Sequence, residues 1–468
     1  MKTILIRLTL LTLVAVPVAS AQSRDTLRLT LDDAVKRAMT ASDNARIAAA
    51  QIAVADAQIT TARATALPQV RVNSSYNQVI KNARAEIVNQ IFGQPFSYTS
   101  SAVFSQTLFQ GGRLVAGMRA ASQLRGAARF QEREVSDQLS VAAQRSYLLA
   151  LLARQLVEIQ ERSVKLADDR VAQIEQLERA GRVARFDVLR SRVERANLEP
   201  ALLQARSNRE LAEISLRQLL NLPVDQPLQL TSELDTAQLR VVALRVLSDS
   251  SNSSVRPAVR AAELTAGARR QSIRVAMADF LPTVTTSFTV GYTALPKVNG
   301  FPTVWGRSSH ANCPVGAPPN QVCQNNGWYP DRSFGVQVQW NLFDGLRTKG
   351  SVDLAQAQAR IADLQLNEAR RQAATDLAAA RAEFDRAQTA FDAQRQNAAE
   401  AQEAYGIAAL RFDRGLSTLL EVTDAQDALF TAQVNAARAG VDYFVAVAEL
   451  ARNGGRDIPL APTRPSLR

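Results

Sequence analysis

The side chains that most often do chemistry are scarce in this chain. Its 468 residues include one histidine, His310, and two cysteines, Cys313 and Cys323. One imidazole cannot build a histidine-based metal centre and argues against a Ser-His-Asp relay. No HExxH, GxSxG, glycine-rich phosphate loop or paired cysteine cluster occurs in it. The two cysteines lie in a stretch rich in Pro, Gly and Asn. In an oxidising compartment they read as one disulfide closing a loop, with two free thiols as the alternative; they are too few for a metal site. The sequence therefore reads as a protein that is not an enzyme and needs no cofactor or metal.

The elements that would position any other function are better written. The chain opens with a short basic segment, MKTILIR, then the apolar LTLLTLVAVPV, then Ala19-Ser-Ala21. This is the pattern of a secretory signal cleaved after Ala21. Beyond it no apolar run reaches the ~18 residues that a membrane helix requires, so a membrane span would have to be made of strands. The formal net charge is +11. Its basic residues alternate with Asp and Glu along helical stretches, which reads as solvated helix faces. An export signal also removes the chain from nucleic acid.

The chain repeats itself. LFQGGR at 108–113 returns as LFDGLR at 342–347, and RAGRVARFDV at 179–188 faces DRGLSTLLEV at 413–422, both at an offset of 234. ALPQVRVN at 66–73 matches FLPTVTTS at 280–287 at an offset of 214. The expected organisation is a signal over 1–21, a first repeat over 22–222, a linker over 223–254, a second repeat over 255–455 and a tail over 456–468. Each repeat contains two alternating segments, at about 69–79 and 97–109, then about 282–293 and 332–343. Val284, Thr286, Phe288, Val290 and Tyr292 share one parity; so do Phe334, Val336, Val338, Trp340 and Leu342. The opposite parity is mostly Ser, Thr, Asn and Gln. Period two means strand, and strands of roughly ten residues with one apolar and one polar face fit a membrane barrel or a small soluble sheet with one wet face.

Proline-free runs follow, predicting long helices over 113–180 and 346–414, with return helices over 185–220 and 418–452. At 1.5 Å per residue each long helix spans roughly 100 Å. Alanine-rich seams such as Ala355, Ala359, Ala362, Leu366 and Ala369 suit close helix packing. Pro200 should kink the first return helix. Four strands cannot close a barrel, and an open sheet in lipid leaves unpaired edges. If these strands span a membrane, several chains share one barrel.

The ordered set of LFQGGR, NLFDGLR, RPAVRAAE at 256–263, the two Leu-Pro marks and the Gly-centred turns resembles the TolC family of outer-membrane efflux proteins over nearly all of the mature chain. The resemblance implies an α+β membrane protein: a homotrimer whose chains each give four strands to a twelve-stranded β-barrel. That barrel would be continuous with a long α-helical barrel in the periplasm. It implies an exit duct in the bacterial outer membrane, in contact with lipid, serving an inner-membrane pump through a periplasmic adaptor, for efflux or type I secretion. It also implies site residues. Gly181 and Arg182, and Gly415, Leu416 and Ser417, match the adaptor-docking tips, although Arg182 stands where the family usually has an apolar residue. Glu421 and Asp424, three apart and so on one helix face, match the acidic ring of the closed aperture. Asp187, the counterpart of Glu421 in the first repeat, would support the closed state. The competing reading is a periplasmic coiled-coil structural or adaptor protein with no membrane barrel.

Overall fold

The structure is a computed structural model that describes residues 26–80, 96–248, 256–296, 300–302, 304–305, 315–316, 318 and 327–465. The signal segment, His310, Cys313 and Cys323 lie outside the described residues. In chain order the elements are β1 (Leu27–Leu29), α1 (Leu31–Ala41), α2 (Asp43–Ala64), β2 (Gln69–Gln78), β3 (Phe96–Gln110), α3 (Arg113–Arg179), α4 (Arg185–Leu219), β4 (Leu228–Leu230), β5 (Ser232–Leu234), α5 (Leu239–Ser248), α6 (Pro257–Met277), β6 (Thr283–Ala294), β7 (Val304–Trp305), β8 (Gly327–Gln339), α7 (Arg347–Asp413), α8 (Leu419–Asn453) and β9 (Thr463–Pro465). The two proline-free runs are single helices of 67 residues each, and each is followed by a helix of 35 residues. At 1.5 Å per residue the long helices are about 100 Å. The helix α4 continues through Pro200.

The LF-x-G phrases mark where strand becomes helix. Gly111 and Gly112 have φ of +55° and +77°, and Gly345 and Leu346 both have +69°. A left-handed pair turns the chain out of β3, or away from the end of β8, and starts a long helix. At Gly111 the requirement is double, because an added Cβ would lie 2.6 Å from the Ala278 carbonyl oxygen. In the second copy Leu346 takes the strained place that Gly112 fills in the first. There the helix start is reinforced by Asp344, whose Oδ2 accepts from the Thr348 N–H at 2.9 Å and from its hydroxyl at 2.5 Å.

The four long strands form one antiparallel sheet in the order β2-β3-β6-β8, with the short β7 paired to the first residues of β8. The register aligns the two parities across all four. Val70, Phe104, Phe288 and Phe334 form one row, and all four are exposed in the single chain. The opposite face carries rows such as Arg71, Val103, Thr289 and Ser333, or Gln69, Ser105, Ser287 and Gly335. One face is thus largely apolar, with Arg332 at the end of the row of Val72, Ala102 and Val290, and the other is dominated by hydroxyls and amides. The strand expected at 332–343 starts earlier, at Gly327, and stops at Gln339. Trp340 lies just past it, and its Nε1 donates to the Phe280 carbonyl at 3.0 Å.

The described parts of the linker and tail expected at 223–254 and 456–468, residues 223–248 and 456–465, are built into the molecule. β4 pairs in parallel with β1, β9 pairs with β5, and α5 packs on α8. Together they belt the middle of the helices and close the main core around Tyr147, Leu216, Phe384, Phe391, Tyr443 and Phe444. Tyr147 is fully buried; its hydroxyl donates to the Leu29 carbonyl at 2.9 Å and accepts from the Ser232 N–H at 3.1 Å. Gln144 holds the tail, donating to the Pro459 carbonyl and accepting from the Ala461 N–H.

The RPAVRAAE segment opens α6, with Pro257 at its first position, where a missing N–H costs nothing. Arg256, just before it, is buried and bridges the two long helices. Its guanidinium donates to Glu134 of α3 at 3.0 Å and to Asp376 of α7 at 2.6 Å. Arg452 of α8 reaches Glu134 from another side at 3.1 Å. Burial alone would raise both carboxylates, but Arg256 brings Glu134 and Asp376 below their ordinary range, helped at Glu134 by Gln138 and Arg452 and at Asp376 by Gln372. Nearby, burial pushes Asp137 up to about 6.

Candidate functional site at the helical tips

Both long helices end the same way. After α3 the Gly181 N–H donates to the Glu178 carbonyl and the Arg182 N–H to the Leu177 carbonyl, at 2.8 and 2.9 Å. After α7 the Gly415 N–H donates to the Phe412 carbonyl and the Leu416 N–H to the Arg411 carbonyl, both at 2.8 Å. This is the Schellman termination, which needs a left-handed residue after the cap. Gly181 and Gly415 supply it with φ of +70° and +74°. Nothing lies within 4 Å of an added Cβ at either position, so the glycines serve backbone conformation and not close approach.

The return helices then start on polar caps. The Thr418 Oγ1 accepts from the Glu421 N–H, and the Glu421 carboxylate accepts from the Thr418 hydroxyl, both at 3.4 Å. Asp187 holds the same third position in α4, where its Oδ2 accepts from the Ala184 N–H at 3.2 Å. Ala184 has no side-chain oxygen, so only half of a capping box is present there. Ile174, Val188 and Leu419 are buried together, with Leu177, Val183 and Phe412 around them. This small core brings the tip of the first half against the tip of the second.

Around that core the surface has two characters. Gly181, Arg182, Gly415 and Leu416 are exposed, and Ser417 is half-buried with its hydroxyl donating to the Ala408 carbonyl at 3.4 Å. Phe186, Leu189 and Leu420 are exposed with them, giving the tips an apolar surface that extends beyond Leu416. The second character is acidic. Glu421 and Asp424 are exposed on α8, and Asp427 continues their three-residue spacing. Burial, then Glu194 of α4 and Asp424, push the Asp427 carboxyl up, with Arg170 of α3 partly opposing. Arg170 also donates to Thr423 at 3.5 Å, and Arg190 pairs with Glu194 at 2.9 Å. Asp427 and Glu194 were missed from sequence. The first follows from extending the spacing by one step; the second depends on how α4 packs. A carboxylate whose neighbours are carboxylates gains from a nearby cation, so the arrangement favours cations over anions.

Among the described residues no helix is long and apolar enough to cross a membrane, and no group of three or more metal-ligating side chains occurs. A family model described as "Outer membrane efflux protein" matches residues 20–222 and 251–456. No curated protein matches the chain in sequence. Several solved structures share its fold. The outer membrane protein VceC of Vibrio cholerae superposes with a TM-score of 0.70 at 19% identity, covering 92% of this chain and 97% of that one. The outer-membrane channel OprN gives 0.68 at 20% identity, covering 92% and 91%. The open state of the MtrE outer membrane channel of Neisseria gonorrhoeae gives 0.68 at 19% identity, covering 91% and 89%.

Proposed function

We propose that this chain, which belongs to the outer membrane efflux protein family and is a protein of the bacterial outer membrane, forms the exit duct of a tripartite efflux or type I secretion system, gated at its helical tips. Membership of that family favours a membrane barrel over a coiled-coil protein without one. The observation that carries the proposal is the sheet. Its four long strands are successively antiparallel, so its edge strands β2 and β8 run in opposite directions. Among the described residues β2 has no partner on its outer side, and β8 is covered there only at Gly327 and Trp328. An open edge is prohibitive in lipid. The β8 of one copy and the β2 of the next have the right polarity to pair, and a ring of copies leaves no edge. Three copies, the number the family resemblance implies, give a twelve-stranded barrel. Its apolar rows meet lipid and its hydroxyl rows line the pore, and the helices below it carry the duct through the periplasm.

At the far end, three copies of Glu421, Asp424 and Asp427 ring the narrowest passage and set a preference for cations. The exposed apolar tips, Phe186, Leu189, Leu416 and Leu420 beside Gly181, Arg182, Gly415 and Ser417, are where a periplasmic adaptor docks and biases opening, linking the duct to an inner-membrane pump. The chain catalyses nothing; the pump supplies the energy. The test is single-channel conductance of the detergent-extracted protein in a planar bilayer, beside a Glu421→Gln/Asp424→Asn/Asp427→Asn variant. A small cation-selective current whose selectivity falls in the variant supports the duct and its gate. An unchanged current moves the gate elsewhere, and protein that forms no channel refutes the duct.

A further inference from the structure

The apolar face of the sheet ends, on the side of the strand-connecting loops, in six aromatic rings. Tyr76 and Tyr98 are cross-strand partners with ring centres 4.8 Å apart. By register Tyr292 and Trp328 share their face. Phe301 and Trp305 come from the segment after β6. Phe301 meets Tyr98 at 5.8 Å and Trp328 at 5.7 Å, and Trp305 meets Tyr292 edge-on at 5.1 Å. This segment is pinned in two ways. Trp328 Nε1 donates to the Pro302 carbonyl at 2.9 Å, and Trp305 pairs along the backbone with Trp328. The rings are thereby held as walls around a cavity of about 720 Å³, floored by the hydroxyls of Ser74 and Ser100 and by the backbone of Ser75 and Thr99 between the rows.

A belt of aromatic rings at a membrane boundary is ordinary for a barrel. A walled recess is a different object, because rings that only anchor a wall can lie along it. Phe301 and Trp305 are 70% and 69% exposed in the single chain, so much of each ring is left uncovered by it. The lining chemistry narrows what fits there. Among the described residues no charged side chain lines the recess, so it offers no partner to a phosphate and no ligand set to a metal ion. The Ser74 and Ser100 hydroxyls already bond each other at 3.0 Å, so the floor asks for few new polar contacts. The volume and the predominance of aromatic rings are those of a site for a small apolar molecule. The recess lies on the same face of the sheet as Val70, Phe104, Phe288 and Phe334, the face that, on the reading above, meets lipid. An acyl chain is the apolar solute always present along that face.

We propose that this recess is a discrete lipid site, holding one acyl chain of an outer-membrane lipid between Phe301, Trp305 and the sheet, apart from the bulk lipid around the barrel. It rests on the reading that the apolar face meets the membrane. The test uses the full protein in detergent, stripped of lipid, then titrated with dimyristoyl-phosphatidylethanolamine and examined by native mass spectrometry. Two variants accompany it: Phe301→Ala/Trp305→Ala, which removes the walls, and Ser100→Phe, which fills the floor. The wild type is expected to keep about one lipid per chain after washing, and each variant to bind at least tenfold more weakly. Wild type that keeps none, or variants that both bind as well as wild type, would overturn the site. A soluble sugar that displaces the lipid would overturn the acyl-chain assignment. Bilayer conductance separates this from the larger reading: a protein that forms channels but holds no lipid loses only the recess, whereas one that never enters a bilayer loses the barrel.

Discussion

Arg256 offers a sharp test of how the two halves are tied together. Its guanidinium makes two charge-assisted hydrogen bonds, to Glu134 at 3.0 Å and to Asp376 at 2.6 Å, with its side chain only 10% exposed. Arg256→Met keeps most of the volume and removes the charge. Truncating one partner of a buried ion pair costs roughly 3–5 kcal/mol, much of it from the stranded counter-charge. Here Glu134 keeps Arg452, Gln138 and the Ala258 N–H. Asp376 keeps Gln372, and its side chain is 29% exposed. The loss should therefore sit near the low end, at about 3 kcal/mol. With an unfolding entropy of about 2 cal/mol/K per residue, a chain of this length melts about 3 °C lower for that loss. The assay is helical circular dichroism against temperature in detergent, at one scan rate, for wild type and variant side by side. The triple variant Arg256→Met/Glu134→Gln/Asp376→Asn removes the stranded charges as well and should recover most of the loss. Glu134 and Asp376 have depressed pKa values, so their stabilisation is present above the ordinary carboxylate range and lost as pH falls through the folded values. Without Arg256 that loss starts at higher pH. A single variant that melts like wild type, or a triple variant no better than the single, would refute the reasoning.

Asp137 should behave in the opposite sense. Burial raises its carboxyl to about 6, so the folded state holds a proton that the unfolded state has released, and stability rises as pH falls from about 7 towards 4. Asp137→Asn should raise the melting temperature by about 1 °C at pH 7.5 and flatten that slope, both read in the same melts. At the tips, Gly181→Ala and Gly415→Ala should each cost about 1–2 kcal/mol, since the left-handed φ is strained but nothing clashes. Gly111→Ala, which drives a Cβ to 2.6 Å from a carbonyl oxygen, should cost clearly more and cut the yield of folded protein in membrane fractions. Phe288→Arg and Thr289→Arg place the same charge on opposite faces of β6. The first should impair membrane insertion, by about 2–4 kcal/mol if it lies near mid-bilayer, and the second should insert and change the current.

What was legible in the sequence follows physical range. The parity of Val284 to Tyr292 and of Phe334 to Val338 lies within single strands, and it is visible because a strand with one apolar and one polar face must alternate. The length of the helices is visible because one proline would interrupt them, and the left-handed turns because glycine marks them, except at Leu346, where only the matching phrase betrays the turn. The beginning of β8 was hidden. Gly327 to Arg332 includes a proline and two charges, and pairing with β6 is what makes it strand. The belt was hidden for a related reason: three residues such as Leu228–Leu230 have no period to read. The row Val70–Phe104–Phe288–Phe334 joins strands from both halves, and only their register reveals it.

The same distinction bears on the acidic tip. Glu421 satisfies two descriptions at once. It is a carboxylate facing solvent where the proposed aperture would lie, and it is the third residue of a helix start capped by Thr418, whose hydroxyl it bonds. A threonine cap with an acidic residue in the first turn is a local device with a local sequence signature, so the helix start accounts for Glu421 without any pore. Asp424 and Asp427 have no such duty in α8, and Asp427 lies among other carboxylates where isolated charge is disfavoured. The gate is therefore better supported at Asp424 and Asp427 than at Glu421. Substitution can separate the two duties. Glu421→Gln keeps an acceptor for the cap and removes only charge, whereas Thr418→Ala removes the cap and keeps the charge. If the ring depends on charge at 421, selectivity follows the first variant and the onset of tip unfolding follows the second. If Glu421 is only a cap, the first variant is silent in conductance, and the loss of selectivity waits for Asp424→Asn/Asp427→Asn.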